Sequence, residues 1–88
     1  MKDLERLKLL GGGFKNRLSD QDISFALGYI DFNEVPLALD TLCNYICERD
    51  IGVSQEECGE IVSLNESFGS PLGAKTLSYL KNLISEDR

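Results

Sequence analysis

The chain has 88 residues, of which 42% are hydrophobic and 27% charged, with a net charge of −6 and no histidine. A chain of this length sustains one hydrophobic core, so we expect a single folded domain over residues 1–88. The absence of histidine excludes Ser-His and Cys-His nucleophile pairs and histidine-containing zinc sites, and an enzyme is therefore not expected.

The first residues, MKDLERLKLLGGG, mix acids and bases with leucines, unlike the uninterrupted apolar stretch of a secretion signal. No run approaches the roughly 20 apolar residues that cross a bilayer. We therefore expect a cytoplasmic protein that does not enter a membrane.

The three cysteines are an odd number and two of them lie four residues apart, which is typical of reduced thiols in a core. They are Cys43, Cys47 and Cys58.

The first predicted helix covers residues 2–10, where Leu4, Leu7 and Leu10 recur every third residue. The glycines at 11–13 are predicted to end it, because glycine is favoured beyond a helix C-terminus and disfavoured inside a helix. This glycine run lacks the pattern of a phosphate-binding loop.

The second predicted helix begins after Ser19, a favourable N-cap residue, and has acids in its first turn, where the helix dipole favours negative charge. We predict that it buries one apolar stripe, widened by aromatic residues. The stripe is Ile23, Ala26, Leu27 and Ile30, and the aromatic residues are Phe25, Tyr29 and Phe32.

The third predicted helix follows a break at Asn33, which is also its predicted N-cap. Pro36 then lies in the first turn, where its missing N–H has no intrahelical partner to lose. Helical spacing separates an apolar stripe from a polar arc. The stripe is Val35, Leu39, Leu42 and Ile46, and the arc contains Asp40, Asn44 and Glu48.

The fourth predicted helix opens at Ser54-Gln55-Glu56-Glu57, which has the S-x-x-E form of a capping box. Gly69 is predicted to end it, Ser70 to cap a fifth helix over residues 71–84, and Pro71 to be the first residue of that helix. No segment alternates at period two, and no Asn-Gly or Asp-Gly hairpin signal occurs. The predicted fold is all-α, a compact bundle of four or five short antiparallel helices.

Charge is unevenly distributed along the chain. Residues 20–66 contain eleven acids and one base, Arg49, a net charge of −10, whereas the first nineteen residues carry five bases and two acids. The acidic segment repels nucleic acid and anionic lipid, and it attracts a basic protein by electrostatic steering. The simpler alternative is that these acids only keep a small domain in solution.

The residue types present argue against several other functions. Asp31 and Asn33 resemble the opening of a calcium loop, but Pro36 and Leu42 stand where such a loop needs glycine and a bidentate glutamate. An acyl-carrier role requires an Asp-Ser-Leu motif, which is missing. The cysteines lack the C-x-x-C spacing of a metal site. No cofactor or metal is expected, and a protein-binding module is the most economical interpretation.

The segment YIDFNEVPLALDTLCNYICERDIGVSQEECGEIVSL resembles the small immunity proteins of bacterial polymorphic and contact-dependent-inhibition toxin systems, particularly the MafI type. The similarity extends over about residues 23–84 and consists of a helix ending near an acid, a short break, an Ala-Leu-acid-x-Leu helix entry and a capped Ser-x-Glu-Glu helix. The residues that carry it are Glu34, Ala38, Leu39, Asp40, Leu42, Ser54, Glu56 and Glu57.

This resemblance implies a cognate toxin domain, commonly a basic nuclease, which is neutralised in a tight one-to-one complex. A carboxylate-rich face suits that role, because it occupies the Lys and Arg groups that would otherwise bind phosphate. A few apolar residues near the break between helices two and three would form the desolvated centre. The predicted contacts are Asp31, Glu34, Asp40, Asn44 and Glu48, with Glu56, Glu57 and Glu60 second. The alternative is a homodimeric helical adaptor or regulatory protein without a toxin partner.

Overall fold

The computed structural model describes residues 2–85. Within this range the chain forms α1 (Lys2–Gly12), α2 (Asp20–Gly28), α3 (Val35–Glu48), α4 (Gln55–Ser67) and α5 (Ala74–Asn82), with a 3-10 turn at Tyr29–Phe32 after α2. The only β structure in residues 2–85 is one isolated bridge between Val53 and Ile84. The predicted all-α bundle is confirmed. The predicted domain also includes Met1 and residues 86–88, which lie outside the described part.

Helix α3 occupies the centre of the bundle and contacts each of the other four helices. Its buried side carries the predicted apolar stripe, with Val35 only partly buried at the start. Because hydrophobic burial is the main favourable contribution to folding, this central helix organises the core. Its buried residues are Ala38, Leu39, Leu42, Cys43 and Ile46.

Long-range polar contacts show the relative directions of the helices. Arg6 of α1 bonds to Glu60 and Ser63, whereas Arg17, further along the chain, bonds to Glu57, so the chain runs antiparallel to α4. The C-terminal ends of α3 and α5 lie together, since the Tyr79 hydroxyl of α5 donates to the Asp50 carboxylate just beyond α3.

Helix α2 runs antiparallel to α3. Arg49, just beyond the end of α3, pairs with Asp22 at the start of α2 at 3.2 Å. At the other end of the pair, the Glu34 amide donates to the Tyr29 carbonyl at 2.9 Å.

Two predicted helix N-caps and the predicted position of Pro36 are confirmed. The Ser19 hydroxyl accepts the Asp22 amide at 3.0 Å. Ser54 and Glu57 form both bonds of the capping box, at 3.0 and 2.9 Å, and so satisfy two amides that the first turn of α4 leaves without partners. Pro36 lies in the first turn of α3.

The predicted N-cap of the third helix and the predicted end of the first helix are wrong. Asn33 has φ 63°, a left-handed conformation in which it ends the 3-10 turn, and Glu34 occupies the N-cap position of α3 instead. Helix α1 continues through Gly11 and Gly12. Gly11 is buried, and a β-carbon at this position would lie 3.0 Å from Leu27 Cδ1, so its lack of a side chain allows α1 to approach α2 closely.

The start of α5 is also predicted wrongly. Gly69 and Ser70 have φ 85° and 62°, so Ser70 continues a turn instead of capping a helix, and Gly73 is the N-cap of α5. Asn65, which is 5% exposed, holds this turn. Its backbone carbonyl accepts the Ser70 amide at 2.7 Å and its side-chain Oδ1 accepts the Leu72 amide at 2.9 Å.

The core differs from the prediction at four aromatic or aliphatic positions. Phe14 and Leu18, in the turn after α1, are buried at 0% and 3% exposure, although periodicity assigned them no role. Phe25 and Phe32 were predicted to widen the buried stripe of α2, but they are 57% and 76% exposed.

None of the helices formed by residues 2–85 is long and apolar enough to cross a membrane.

Candidate functional site

Five of the predicted contact residues lie in one segment of the chain, from the 3-10 turn to the end of α3. On α3, Leu37, Asn44 and Glu48 are exposed and recur on one arc opposite the buried stripe, with half-buried Asp40 at its edge. We call this surface the α2–α3 face. Its apolar members are Phe25, Tyr29, Phe32 and Leu37, and its polar members are Asp31, Glu34, Asp40, Asn44 and Glu48.

The apolar part of the α2–α3 face is an aromatic surface that the core does not cover. Five large hydrophobic side chains are exposed among residues 2–85, and three of them, Phe25, Phe32 and Leu37, lie between residues 25 and 37. The Phe25 and Tyr29 rings pack edge to face, with centroids 5.5 Å apart. Single exposed hydrophobic residues are common on proteins, but such a concentration is typical of a binding surface.

The acids of the α2–α3 face are largely uncompensated. In the described part of the chain, no ion pair involves Asp31, Glu34 or Asp40. Lys8 lines the groove between α1 and α2 that also contains Asp31. The face therefore keeps a net negative charge with hydrogen-bond acceptors available.

Arg49, the one base in residues 20–66, lies at the edge of this face. It pairs with Asp22 at 3.2 Å, packs over the Tyr45 ring at 4.9 Å and approaches Glu48 only to 3.9 Å. Glu48 keeps 69% of its side chain exposed. The arginine thus neutralises Asp22 more than it neutralises the predicted contact residue.

The second predicted group, Glu56, Glu57 and Glu60, lies on α4 and is not part of the α2–α3 face. Arg17 donates two hydrogen bonds to Glu57, at 2.9 and 2.7 Å, and holds the pKa of that carboxyl below its usual range. Arg6 donates two to Glu60, at 2.8 and 3.0 Å, with the same effect on its pKa. Glu57 and Glu60 therefore hold the fold together, whereas Glu56 is exposed.

Sequence reasoning foresaw one of these roles. The S-x-x-E spacing identifies Glu57 as a capping residue, but it does not reveal that the same carboxylate also binds Arg17, 40 residues earlier in the chain. The pairing of Arg6 with Glu60 spans 54 residues and has no local signal at all. Of the predicted contacts, Glu57 and Glu60 are therefore engaged within the fold, whereas Glu56 and the acids of the α2–α3 face keep their acceptors available to a partner.

The cysteines lie in or near the core. Cys43 and Cys58 are buried and Cys47 is half-buried, all three as free thiols. Burial raises the pKa of each thiol, and the neighbouring Cys47 thiol and Asp40 carboxylate raise that of Cys43 further. Between residues 2 and 85, no group of three or more Cys, Asp or Glu side chains is arranged to hold a metal ion.

Comparison of the chain with protein-family models, with curated proteins and with solved structures found no match. The carboxylates of the α2–α3 face accept hydrogen bonds from lysine or arginine, and its rings offer apolar contact area and negative faces to cations.

Proposed function

We propose that this protein is an immunity protein that binds the basic catalytic domain of a toxin, a nuclease, and neutralises it in a one-to-one complex. The observation that carries this proposal is the α2–α3 face, where the acids Asp31, Glu34 and Asp40 make no ion pairs within residues 2–85 and the same segment of the chain exposes two phenylalanines. The resemblance of residues 23–84 to immunity proteins of toxin systems is consistent with it.

The mechanism follows from the chemistry of a nuclease active site. Such a site presents lysine and arginine donors to the phosphates of its substrate. Carboxylates of the α2–α3 face would pair with these donors and so exclude the nucleic acid from the site. In this proposal the protein acts in the cytoplasm and binds no nucleic acid itself, because its own acidic surface repels phosphate.

The aromatic residues supply the energetic centre of the proposed interface. Protein interfaces concentrate their binding energy in a few buried aromatic and arginine residues, which are surrounded by polar groups. Phe32, with 76% of its surface exposed, has the most area to lose on binding, and Phe25 and Leu37 extend the same surface. Asp31 directly precedes Phe32 and Glu34 follows it by two residues, and both would form part of the polar rim.

The test is co-purification with the product of the reading frame immediately upstream, followed by a nuclease assay of that product alone and with this protein. We expect a stable complex and loss of nuclease activity at a one-to-one ratio. A product that neither binds nor is inhibited would refute the proposal.

A homodimeric adaptor is the second candidate, because two copies would cover the exposed phenylalanines of each other. A symmetric dimer on this face would bring the acids of both copies into one interface, and such an accumulation of like charge opposes association. Sedimentation of the isolated protein at micromolar concentration separates the candidates. We expect a monomer, and a dimer that Phe32→Ala dissociates would favour the adaptor.

A further inference from the structure

Arg17 is held in a site that an aromatic ring and a carboxylate form together. Its guanidinium carbon lies 4.3 Å from the centroid of the Phe14 ring, while both carboxylate oxygens of Glu57 accept hydrogen bonds from its Nη atoms. The negative face of the ring attracts the cation, and the carboxylate fixes the direction of the guanidinium.

Arg49 is held in the same way. Its guanidinium carbon lies 4.9 Å from the centroid of the Tyr45 ring, and its Nη2 pairs with the Asp22 carboxylate at 3.2 Å. This fold therefore uses one arrangement twice, with an arginine of its own placed between a ring and an acid.

The junction between α2 and α3 contains side chains of these same types, and no arginine among residues 2–85 is paired with them. The Phe32 ring is exposed, and exposed acids stand one residue before it and two residues after it, at Asp31 and Glu34. Phe25 adds a second exposed ring. The arginines among residues 2–85 are engaged at other sites, which are Arg6 with Glu60, Arg17 with Glu57 and Arg49 with Asp22.

We propose that this junction is a receptor for arginine side chains of the partner, with the guanidinium stacked on Phe32 and paired with Asp31 or Glu34. The inference rests on the proposed function, since the arginines belong to the basic toxin domain. The occupant is an arginine-bearing segment, because the face combines negative charge with open aromatic rings. A second copy of this chain would bring its own acids to the same place and is disfavoured by their repulsion.

Arginine is favoured over lysine at such a site for a geometric reason. The guanidinium is planar and weakly hydrated, so it stacks on a ring while its N–H groups reach a carboxylate. The lysine ammonium is a compact, strongly hydrated charge that gains less from the ring. The junction should therefore discriminate between two peptides of equal charge.

The experiment titrates the full ¹⁵N-labelled chain with a short arginine-rich peptide and with its counterpart in which every arginine is lysine. We expect the arginine peptide to bind about threefold to fivefold more tightly, with the largest shifts in residues 25–37. Phe32→Leu keeps an apolar side chain without a ring, so this variant should lose the preference. Leu9→Ala is the matched control, because Leu9 is 77% exposed on α1, and it should keep the preference.

A second pair of variants tests the acids. Glu34→Gln should weaken binding of both peptides, and Glu66→Gln, which removes an exposed acid from α4, should weaken it less. Equal affinity for the two peptides, no binding of either, or an unchanged preference in Phe32→Leu would overturn the inference. Concentration-dependent shifts of the same signals without peptide would also overturn it, because a second copy would then occupy the site.

The arginine receptor and the proposed immunity function can be refuted independently of each other. If the upstream toxin domain binds wild-type protein and Phe32→Leu equally well, and the peptides are not distinguished, only the arginine receptor is wrong. If the peptides are distinguished but the upstream product does not bind, the proposed immunity function is wrong.

Discussion

Arg17 and Glu57 are joined by two parallel hydrogen bonds, Nη1 to Oε1 at 2.9 Å and Nη2 to Oε2 at 2.7 Å, although 40 residues separate them in sequence. Arg17 also donates to the carbonyl oxygens of Gly13 at 2.7 Å and Gly52 at 3.0 Å, and Glu57 accepts the Ser54 amide at 2.9 Å. This one pair therefore fastens the turn after α1 to the start of α4.

Removal of the Glu57 carboxylate should destabilise the protein. Glu57→Ala breaks the capping box and both bonds to Arg17, and we expect the free energy of unfolding to fall by about 1–3 kcal/mol. Glu56→Ala is the control, because Glu56 is exposed beside it on α4, and it should change stability by less than about 0.5 kcal/mol. Urea denaturation of the two variants measures the difference. Equal effects would show that the pair with Arg17 contributes nothing.

Stability should decrease in acid. The arginine partners hold the pKa values of Glu57 and Glu60 below the ordinary 4.5. Between that value and the lower folded-state values, the unfolded chain binds more protons than the folded chain, so the free energy of unfolding falls as pH is lowered through this window. Urea midpoints measured from pH 7 to pH 3 should show the decline. Glu57→Gln should make it shallower, and an identical pH profile for both proteins would contradict this assignment.

The buried side-chain carboxamide of Asn65 should be required for the turn that precedes α5. Asn65→Ala leaves the buried Leu72 amide without its acceptor, and we expect a loss of about 1–3 kcal/mol in the free energy of unfolding. Ser67→Ala changes an exposed residue at the end of the same helix and should have little effect. Thermal unfolding of both variants provides the measurement. A wild-type melting temperature for Asn65→Ala would exclude this role.

The three thiols should differ in reactivity. Cys47 is half-buried, whereas Cys43 and Cys58 are buried, and burial raises the pKa of all three so that little thiolate forms near neutral pH. We expect iodoacetamide to modify Cys47 slowly in the folded protein and the other two only after urea unfolding. Peptide mass spectrometry after timed labelling identifies the order. Early modification of Cys43 would contradict its placement in the core.

Local signals in the sequence predicted the helices well where the determining contacts are themselves local. The Ser19 cap, the Ser54 capping box and the position of Pro36 depend on residues within one turn of the helix. Gly69-Ser70-Pro71 also reads as a local signal, but the actual start of α5 depends on Asn65, which holds the turn from α4.

The predicted contact residues also show that local sequence signals do not reveal long-range contacts. The acids on the outer arc of α3 follow from helical periodicity, so their common face could be predicted. The capture of Glu57 and Glu60 by Arg17 and Arg6 depends on how α1 packs against α4, which no local pattern encodes. The exposure of Phe25 and Phe32 was missed for a related reason, because periodicity alone does not say which apolar residues the neighbouring helices cover.

Charge reversal on α3 tests most directly whether the α2–α3 face receives a basic partner. The measurement is the association rate of the proposed partner, the product of the upstream reading frame, with the Asp40→Lys, Glu48→Lys double variant over a range of salt concentrations. The control is Glu5→Lys with Glu66→Lys, which changes the net charge equally at exposed positions on α1 and α4. Circular dichroism should show unchanged helicity in both.

We predict that the Asp40 and Glu48 reversals slow association about tenfold or more at low salt and flatten its salt dependence, while the control changes the rate much less. An association rate equal to that of the wild type, or an equal loss in the control, would contradict the assignment of this face to the partner.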